Sequence, residues 1–234
     1  MAKTKVQMEA LSKISKAITS DLYLEDILRL IVTVAAQAMG SNLCSLMLLN
    51  DKNELVIRAT QTVSEAYTKK MPIKIGEGIS GKVALENKPK MIYDVVKAKD
   101  YKYKDIAKRE GICSLLCVPL SVKGRVIGVL NCYTSKKHKF SKQELDVLTA
   151  LANQAAVAIE NAELDLRARS AEEALTTRKL VERAKEILSE DANILPSEAY
   201  RLIQKQSMDS RKTMREIAEA VILAREIKGA KGNR

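Results

Sequence analysis

A glycine-rich segment is the first part of the chain whose residue types and spacing suggest chemistry. Residues 76–81 read Gly-Glu-Gly-Ile-Ser-Gly, the spacing of a dinucleotide-binding loop, and Asp94 follows at a distance suited to a ribose contact. That function needs a buried parallel strand before the loop and a full crossover helix after it. The sequence instead predicts antiparallel neighbours and a helix of about two turns, so the glycines indicate a tight turn rather than a nucleotide site.

The cysteines and the single histidine offer little for catalysis or metal binding. Cys44, Cys113, Cys117 and Cys132 form no Cys-x-x-Cys pair and lie in apolar runs, which favours reduced core residues. His138 is the only histidine, and no pair of catalytic carboxylates stands out. We therefore expect no metal site and no enzymatic activity. The alternative left open is a thiol oxidoreductase that uses Cys113 or Cys117.

The net charge of the chain is +11, which indicates either an anionic partner such as nucleic acid or a lysine-rich surface. The excess is not concentrated at the C-terminus. Residues 69–142 hold eighteen Lys and Arg against six Asp and Glu, whereas residues 167–234 hold fifteen against eleven. Aromatic residues make up only 3% and Trp is absent. This composition excludes a platform on which successive bases of an extended strand would stack.

The elements that would position these residues follow from hydrophobic spacing. Residues 4–39 have the three-and-four spacing of two helices, and Gly40 ends the second. Short turns rather than long helices join most of the strands that follow, so we expect an antiparallel sheet with flanking helices, an α+β fold. The predicted strands are residues 42–50, 54–61, 71–75, 90–95, 113–122 and 125–135.

A long helix is predicted after the last strand. Ser141 and Glu144 have the spacing of a capping box, and neither Gly nor Pro occurs between residues 141 and 195. A heptad seam predicts a coiled-coil dimerisation helix over residues 141–188. Packing of the same helix on the sheet of its own chain is the alternative, and both can hold if one face packs on the sensor domain and another on a dimer partner. The seam consists of Leu145, Leu148, Ala152, Ala155, Ile159, Ala162 and Leu166.

Two shorter amphipathic helices follow the long one. Ser197 precedes the first, Asp209 and Ser210 precede the second, and a basic tail ends the chain. If the three helices pack compactly, their cations share one face and contact phosphates, with a solvated basic surface as the alternative. The cations concerned are Lys185, Lys205, Arg211, Lys212 and Arg215.

Three segments resemble a GAF domain, and the resemblance extends over about residues 22–165. They are GEGISGKVA, SLLCVPLSVKGRVIGVLNCY and HKFSKQELDVLTALANQAAVAIENAEL. The resemblance implies a sensor of small molecules or light that has a central antiparallel sheet and dimerises through its flanking helices. The stretch HKFSKQEL does not match the motif of cyclic-nucleotide-binding members, and the Cys-His pair of bilin-binding members is missing. Neither of these two ligand types is therefore expected. The resemblance leaves open either a small-molecule ligand without a named identity or a domain that binds nothing, and the cofactor is unknown.

The C-terminal segments ERAKEILSED, SEAYRLIQKQSMDSRK and MREIAEAVILA resemble an ANTAR domain, a bacterial three-helix module that binds RNA and prevents transcription termination. Glu186 and Ser189 replace the Gly and Met that are usual in that family. The residues that follow the family pattern are Ala184, Lys185, Ile187, Leu188, Ala199, Tyr200, Leu202, Arg211, Ile217 and Ala218. We expect RNA contacts at Lys185, Gln204, Lys205, Arg211, Lys212 and Arg215.

These observations predict a cytoplasmic, signal-responsive antitermination regulator that binds stem-loop leader transcripts as a homodimer. The alternative is a non-enzymatic signalling adaptor whose helical C-terminus binds a protein partner. The predicted divisions are an N-terminal helix (1–20), a GAF-like sensor domain (21–165), the long helix (141–188), an ANTAR-like domain (171–228) and a disordered basic tail (229–234).

Overall fold

The computed structural model describes residues 12–14, 23–41, 43–61 and 71–231, and the chain forms two units, Met1–Leu164 and Asp165–Arg234. Most of the helix predicted over residues 1–20 lies outside the described residues. The last residues of the predicted tail, 232–234, also lie outside them.

The centre of the first unit is a six-stranded sheet. Its strands run in the order β3-β2-β1-β6-β5-β4, and every neighbouring pair is antiparallel. This arrangement confirms the α+β class expected from the hairpin spacing. The strands are β1 (Leu43–Leu49), β2 (Glu54–Thr60), β3 (Ile73–Lys74), β4 (Lys90–Ile92), β5 (Ser114–Val122) and β6 (Arg125–Thr134).

Within the described residues, six helices with defined bounds accompany the sheet, in addition to the helical residues 12–14. The fourth is continuous over 51 residues, which confirms the long helix. It starts at the predicted capping box, where the Glu144 N–H donates to the Ser141 hydroxyl at 3.2 Å and the Ser141 N–H donates to the Glu144 carboxylate at 2.9 Å. The helices are α1 (Leu24–Met39), α2 (Gly78–Glu86), α3 (Lys104–Arg109), α4 (Lys142–Ala192), α5 (Pro196–Ser210) and α6 (Met214–Lys231).

Both faces of the sheet are buried, and alternation along the strands assigns each side chain to a face. In β5, Leu116, Val118 and Leu120 join a core with α1 and the first part of α4. Leu115 and Cys117 join a second core with α2 and α3. The two cores explain why residues 115–120 are apolar throughout instead of alternating.

The heptad seam predicted on α4 packs within its own chain. Leu148, Ala152, Ala155 and Ile159 are each 0% exposed and belong to the core formed with α1 and the sheet. Leu166, the last residue of the seam, is 61% exposed. The described chain therefore adopts the alternative arrangement, in which the first half of this seam packs on the sheet.

The glycine-rich segment forms a tight turn between β3 and α2. Gly76 and Gly78 have φ angles of 84° and 63°, a backbone region that favours glycine. A Cβ at Gly81 would overlap the Lys74 carbonyl oxygen. Because β3 is a two-residue antiparallel strand and α2 has nine residues, backbone geometry accounts for all three glycines.

The second unit is a small three-helix core. None of the helices in the described part of the chain combines the length and apolar character that crossing a membrane requires. Helix α6 continues to Lys231 and so extends into the range predicted as a tail. The buried core residues are Val181 and Ala184 from α4, Ile203 from α5, and Ile217, Ala218 and Ile222 from α6.

Candidate nucleic-acid interface

Helix α5 is the central element of the candidate interface. Its N-terminus is set by Pro196 in the first turn and by the Glu198 carboxylate, which accepts the Leu195 N–H at 3.1 Å. Ala199 and Ile203 are buried, and Ile203 belongs to the three-helix core. With about 100° between successive helical residues, the face turned away from the core carries Tyr200, Arg201, Gln204, Lys205 and Met208, all of which are exposed.

A hydrogen-bonded turn joins α5 to α6 and presents two further cations. Arg211 caps α5 in the left-handed conformation (φ 54°), and its N–H donates to the Met208 carbonyl. The Lys212 N–H donates to the Ser207 carbonyl at 3.1 Å, and the Ser207 hydroxyl donates to the Lys212 carbonyl at 2.6 Å. The backbone of both residues is therefore held in place while their side chains face solvent.

Helix α6 begins later than the sequence indicates. Asp209 and Ser210 were expected to precede it, but both belong to the last turn of α5. Thr213 is the actual cap, because its hydroxyl accepts the Glu216 N–H at 3.2 Å and the Glu216 carboxylate accepts the Thr213 N–H at 2.7 Å. Hydrogen bonds from the Thr213 N–H and then its hydroxyl hold the pKa of Glu216 below its usual range.

Two of the predicted contact residues are ion-paired within their own helices. Lys185 on α4 bonds Glu182, and Arg215 on α6 bonds Glu219 at 2.8 Å, which raises the pKa of Arg215. Among the described residues, no such pair is found for the other exposed cations of the candidate interface, which are Arg201, Lys205, Arg211 and Lys212. The positive charge of α5 and the following turn is thus available to an outside anion.

The six residues predicted to contact RNA therefore do not all lie on one element. Gln204, Lys205, Arg211 and Lys212 lie on α5 and its C-terminal turn, whereas Lys185 and Arg215 lie on the other two helices. Sequence reasoning assigned no RNA contact to Tyr200 or Arg201, which share the outward face. Sequence spacing could have found them, because Tyr200 precedes Gln204 and Arg201 precedes Lys205 by four residues each. Residues four apart lie one turn apart on the same face of a helix.

The two departures from the ANTAR pattern have different surroundings. Glu186 is exposed, so its charge stays solvated. The hydroxyl oxygen of Ser189, which stands where the family usually has Met, is buried and finds no hydrogen-bond partner among the described residues. A buried polar atom without a partner destabilises the fold.

We expect Ser189→Ala to raise the free energy of unfolding of the second unit by about 1–2 kcal/mol, because it removes the unpaired hydroxyl and improves helix propensity. Urea denaturation of the full chain followed by helical circular dichroism measures this. Ser170→Ala on the same helix is the control: Ser170 is exposed, so only the propensity gain of roughly 0.5 kcal/mol applies. Equal effects of the two substitutions would contradict the burial argument.

The first unit contains a small cavity between the sheet and α2. Its walls include Met47, Ile79, Tyr101 and Tyr133, and its volume of about 20 Å³ has room for about one water molecule. Burial, and then the neighbouring Tyr133, raise the pKa of Tyr101 well above its usual range, so the phenol is neutral. Both tyrosines line this cavity.

A buried polar group adjoins this cavity. Asn131 is fully buried in the middle of β6, where it donates to the Ser45 hydroxyl and accepts from the Ser80 hydroxyl, each at 3.4 Å. Ser80 also lines the cavity. Sequence reasoning missed Asn131, because a single Asn within an apolar strand run carries no signal of its surroundings.

The surroundings of the cysteines and the histidine indicate that these residues have structural roles. Cys44, Cys117 and Cys132 are buried, Cys113 is partly exposed, and burial raises the pKa of Cys117 to about 12. The His138 ring bonds the Glu144 carboxylate at 3.1 Å. Within the described residues, no three side chains of the metal-binding types are grouped.

Family models match both units. A GAF domain is matched at residues 22–160 and an ANTAR domain at residues 169–222. Among solved structures, the chain is similar to a GAF domain from a phosphoenolpyruvate-protein phosphotransferase of Coxiella burnetii, with a TM-score of 0.61 and 27% identity over 70% of this chain and 96% of that one. A free methionine-R-sulfoxide reductase from Neisseria meningitidis shares the fold at 22% identity and a TM-score of 0.58, over 68% and 91%.

Part of the chain also matches a curated relative. The "Transcriptional regulatory protein PdtaR" of Mycobacterium tuberculosis is 46% identical over 50 residues, which are 21% of this chain and 24% of that protein. The match thus spans about a quarter of the length of the curated relative. The GAF match alone covers more than half of the chain, and the ANTAR match follows it directly. The chain belongs to the GAF-domain family and carries a GAF domain followed by an ANTAR domain.

Proposed function

We propose that this protein is a signal-responsive transcription antitermination regulator that binds hairpin RNA as a homodimer. The observation that carries the proposal is an ANTAR domain whose α5 face and following turn expose four cations with no ion pair among the described residues. The named function of PdtaR, transcriptional regulation, agrees with this role. Because such RNA is transcribed in the bacterial cytoplasm, we expect the protein to act there.

The proposed RNA contacts are centred on α5. Lys205, Arg211 and Lys212 bind phosphates, and Arg211 can in addition donate two parallel hydrogen bonds to a base edge. Gln204 lies one residue before Lys205 and offers an amide for a base contact. Lys185 and Arg215 are weaker contributors in this proposal, because Glu182 and Glu219 already neutralise part of their charge.

The form of the RNA follows from the side chains available. Tyr200 is the only aromatic residue of the second unit, so a row of stacked bases has no platform. A folded stem-loop, recognised by its shape and phosphates, suits this surface better. Two such domains in a dimer would bind two stem-loops of one transcript and so prevent a terminator from forming.

We assign a regulatory rather than a catalytic role to the GAF domain. A thiol enzyme needs a reactive thiolate. Of the two candidate cysteines, Cys117 is fully buried and its pKa of about 12 keeps the thiol protonated. The thiol of the other, Cys113, donates to the Ser135 carbonyl at 3.2 Å. The signal we propose is a small molecule that binds beside Tyr101 and Tyr133, where those side chains must move to admit anything larger than water.

The alternative, a signalling adaptor, is favoured by one observation. Leu223 and Ile227 on α6 are 57% and 52% exposed, and their spacing of four residues puts them on one face that a protein partner can cover. This alternative predicts that the cations on α5 are irrelevant to binding.

A gel-shift experiment tests the proposed function. The probe is an RNA pool with two randomised stem-loops joined by a linker, and the control pool has one. We expect the two-loop RNAs to bind about a hundredfold more tightly, because the second contact is intramolecular. If each of the four cations neutralises one phosphate, the logarithm of the affinity falls with the logarithm of the salt concentration with a slope of about −3 per stem-loop. Absence of binding to either pool at low salt would overturn the proposal.

A further inference from the structure

Cys44 of β1 and Cys132 of β6 lie directly opposite each other in the central sheet. Both side chains are fully buried and belong to the core that the sheet forms with α1 and α4, so they lie on the same face. Beyond packing in this core, neither thiol has a role in the proposed function. Two thiols at facing positions of neighbouring strands can form a covalent bond if the backbone spacing allows it.

The hydrogen bonds around Cys44 determine that spacing. Its carbonyl accepts the Gln61 N–H at 3.1 Å and the Thr60 hydroxyl at 3.2 Å, so the peptide groups of Cys44 are directed to β2 and not to β6. Cys44 and Cys132 are therefore a non-hydrogen-bonded pair of the β1–β6 ladder. In such pairs the two Cα atoms are about 4.5 Å apart, which is at the short end of the range that a disulfide spans.

The two thiols are chemically unequal. Hydrogen bonds from the Cys44 thiol and then from the Ser41 hydroxyl lower the pKa of Cys132, although burial opposes them. The hydrogen bond to Cys132 and then burial raise the pKa of Cys44 well above its usual range. Cys132 is therefore the thiol that ionises first, and a thiolate is the form of cysteine that acts as a nucleophile.

A cleft in the surface of the first unit adjoins the pair. Its volume is about 630 Å³, and its walls include Ser41, Leu43, Tyr133 and Thr134. Leu43 and Tyr133 are the direct chain neighbours of the two cysteines. Ser41 is partly exposed, and its hydroxyl interacts with both thiols. Ser41 therefore separates the thiols from the cleft, and a small oxidant reaches them when this short side chain moves.

We infer that Cys44 and Cys132 are a redox site of the GAF domain, at which a hydroperoxide converts the two thiols to a disulfide between β1 and β6. This inference goes beyond the proposed function, whose signal is a bound small molecule, and it does not depend on RNA binding.

The reaction has two steps. The Cys132 thiolate attacks one peroxide oxygen, the O–O bond breaks, and the released oxyanion takes up the proton that Cys132 gave up. Cys132 is then a sulfenic acid. The Cys44 sulfur attacks the Cys132 sulfur, the S–S bond forms, the S–O bond breaks, and the hydroxide leaves with the Cys44 proton as water. The two thiols lose two electrons and the hydroperoxide gains them.

The disulfide at this position is expected to be reduced easily. Because the two Cα atoms are at the short end of the permitted range, the bond is strained, and strained disulfides are the labile ones. Such reversibility agrees with the cytoplasm in which we expect the protein to act, where persistent disulfides are rare and transient ones occur in redox sensors.

Peroxide treatment of the full chain tests the inference. In Cys113→Ser, the partly exposed cysteine is removed and the three buried ones remain. After treatment with hydrogen peroxide, free thiols are blocked in denaturant, and mass spectrometry of the peptides locates the disulfide. We expect the Cys44–Cys132 link to form at least about tenfold faster than any modification of Cys117, whose pKa of about 12 keeps its thiol protonated. Dithiothreitol is expected to restore both thiols.

Cys117 is also the control for unfolding, because an unfolded chain exposes all three thiols equally. A Cys44–Cys132 link that forms no faster than Cys117 is oxidised, or a disulfide that includes Cys117, would overturn the inference. So would recovery of Cys44 and Cys132 as free thiols under conditions that oxidise Cys113 of the unmodified chain.

Two single substitutions test the order of the steps. In Cys44→Ser, we expect Cys132 to stop at the sulfenic acid, which dimedone labels. In Cys132→Ser, we expect Cys44 to remain a thiol, because its raised pKa keeps it protonated. Labelling of Cys44 instead of Cys132 would contradict the assignment of Cys132 as the attacking thiol.

Discussion

Reversal of two charges, Lys205→Glu with Arg211→Glu, is expected to weaken RNA binding by about a hundredfold or more, because two phosphate contacts become two repulsions. Both side chains are exposed, and neither has an ion pair among the described residues. The substitutions are therefore expected to leave the free energy of unfolding nearly unchanged. The measurement is the gel-shift affinity for the two-stem-loop pool, with helical circular dichroism as the check on folding.

A matched control separates local contacts from bulk charge. Lys97→Glu with Lys99→Glu makes the same change in net charge in the GAF domain, where both lysines are exposed. If the charge of +11 acted only as a whole, the two double variants would lose equal affinity. We expect the control to bind nearly as well as the unmodified protein. A protein partner that still binds the Lys205/Arg211 variant, with no RNA bound by either form, would favour the adaptor.

The largest expected effect on stability is that of Gly128→Ala. Gly128 lies in β6, where it pairs with Leu48 of β1 and Leu120 of β5 at the centre of the sheet. A Cβ there would overlap the Met47 carbonyl oxygen and lie 3.1 Å from the Leu48 Cα. Both are backbone atoms that only a shift of the strand can move. We expect a loss of about 3 kcal/mol or more in the free energy of unfolding.

Gly124→Ala is the control for this prediction. Gly124 lies in the turn before β6 at a φ of 81°, and a Cβ there would have nothing within 4 Å. The expected cost is therefore only that of a left-handed alanine, about 1 kcal/mol. Urea denaturation of the two variants, followed by circular dichroism, measures the difference. Similar urea midpoints for both variants would mean that strands β1 and β6 can shift at little energetic cost to accept the Cβ, contrary to the packing described.

Local signals in the sequence determined much of the fold. The Lys123-Gly124 turn between two apolar runs indicated the β5–β6 hairpin, and the structure forms it. The Ser141–Glu144 capping box and the absence of Gly and Pro after it indicated where α4 begins and that it continues. These features depend on residues within a few positions of one another, so the local sequence is enough to predict them.

The candidate interface was only partly predictable for the same reason. The pairs Lys185–Glu182 and Arg215–Glu219 join residues three and four apart on one helix, and sequence spacing reveals such pairs. Whether the Ser189 hydroxyl is buried without a hydrogen-bond partner depends on which residues enclose it in the folded chain, and sequence spacing does not predict those residues. The boundary between α5 and α6 was misjudged because Asp209 and Thr213 are both acceptable caps by residue type, and the hydrogen bonds of Thr213 decide between them.

Helix α4 shows most clearly what the tertiary structure decided. Its sequence contains a heptad seam, and by itself determined that the helix is long and amphipathic. Periodicity cannot decide whether the seam packs on a partner helix or on the sheet of its own chain, because either surface buries a seam with this spacing. The sheet and α1 bury Leu148, Ala152, Ala155 and Ile159, where apolar surface from three elements meets. That burial leaves the opposite side of the helix exposed, since a helix that packs one side on a sheet must turn the other side away from it.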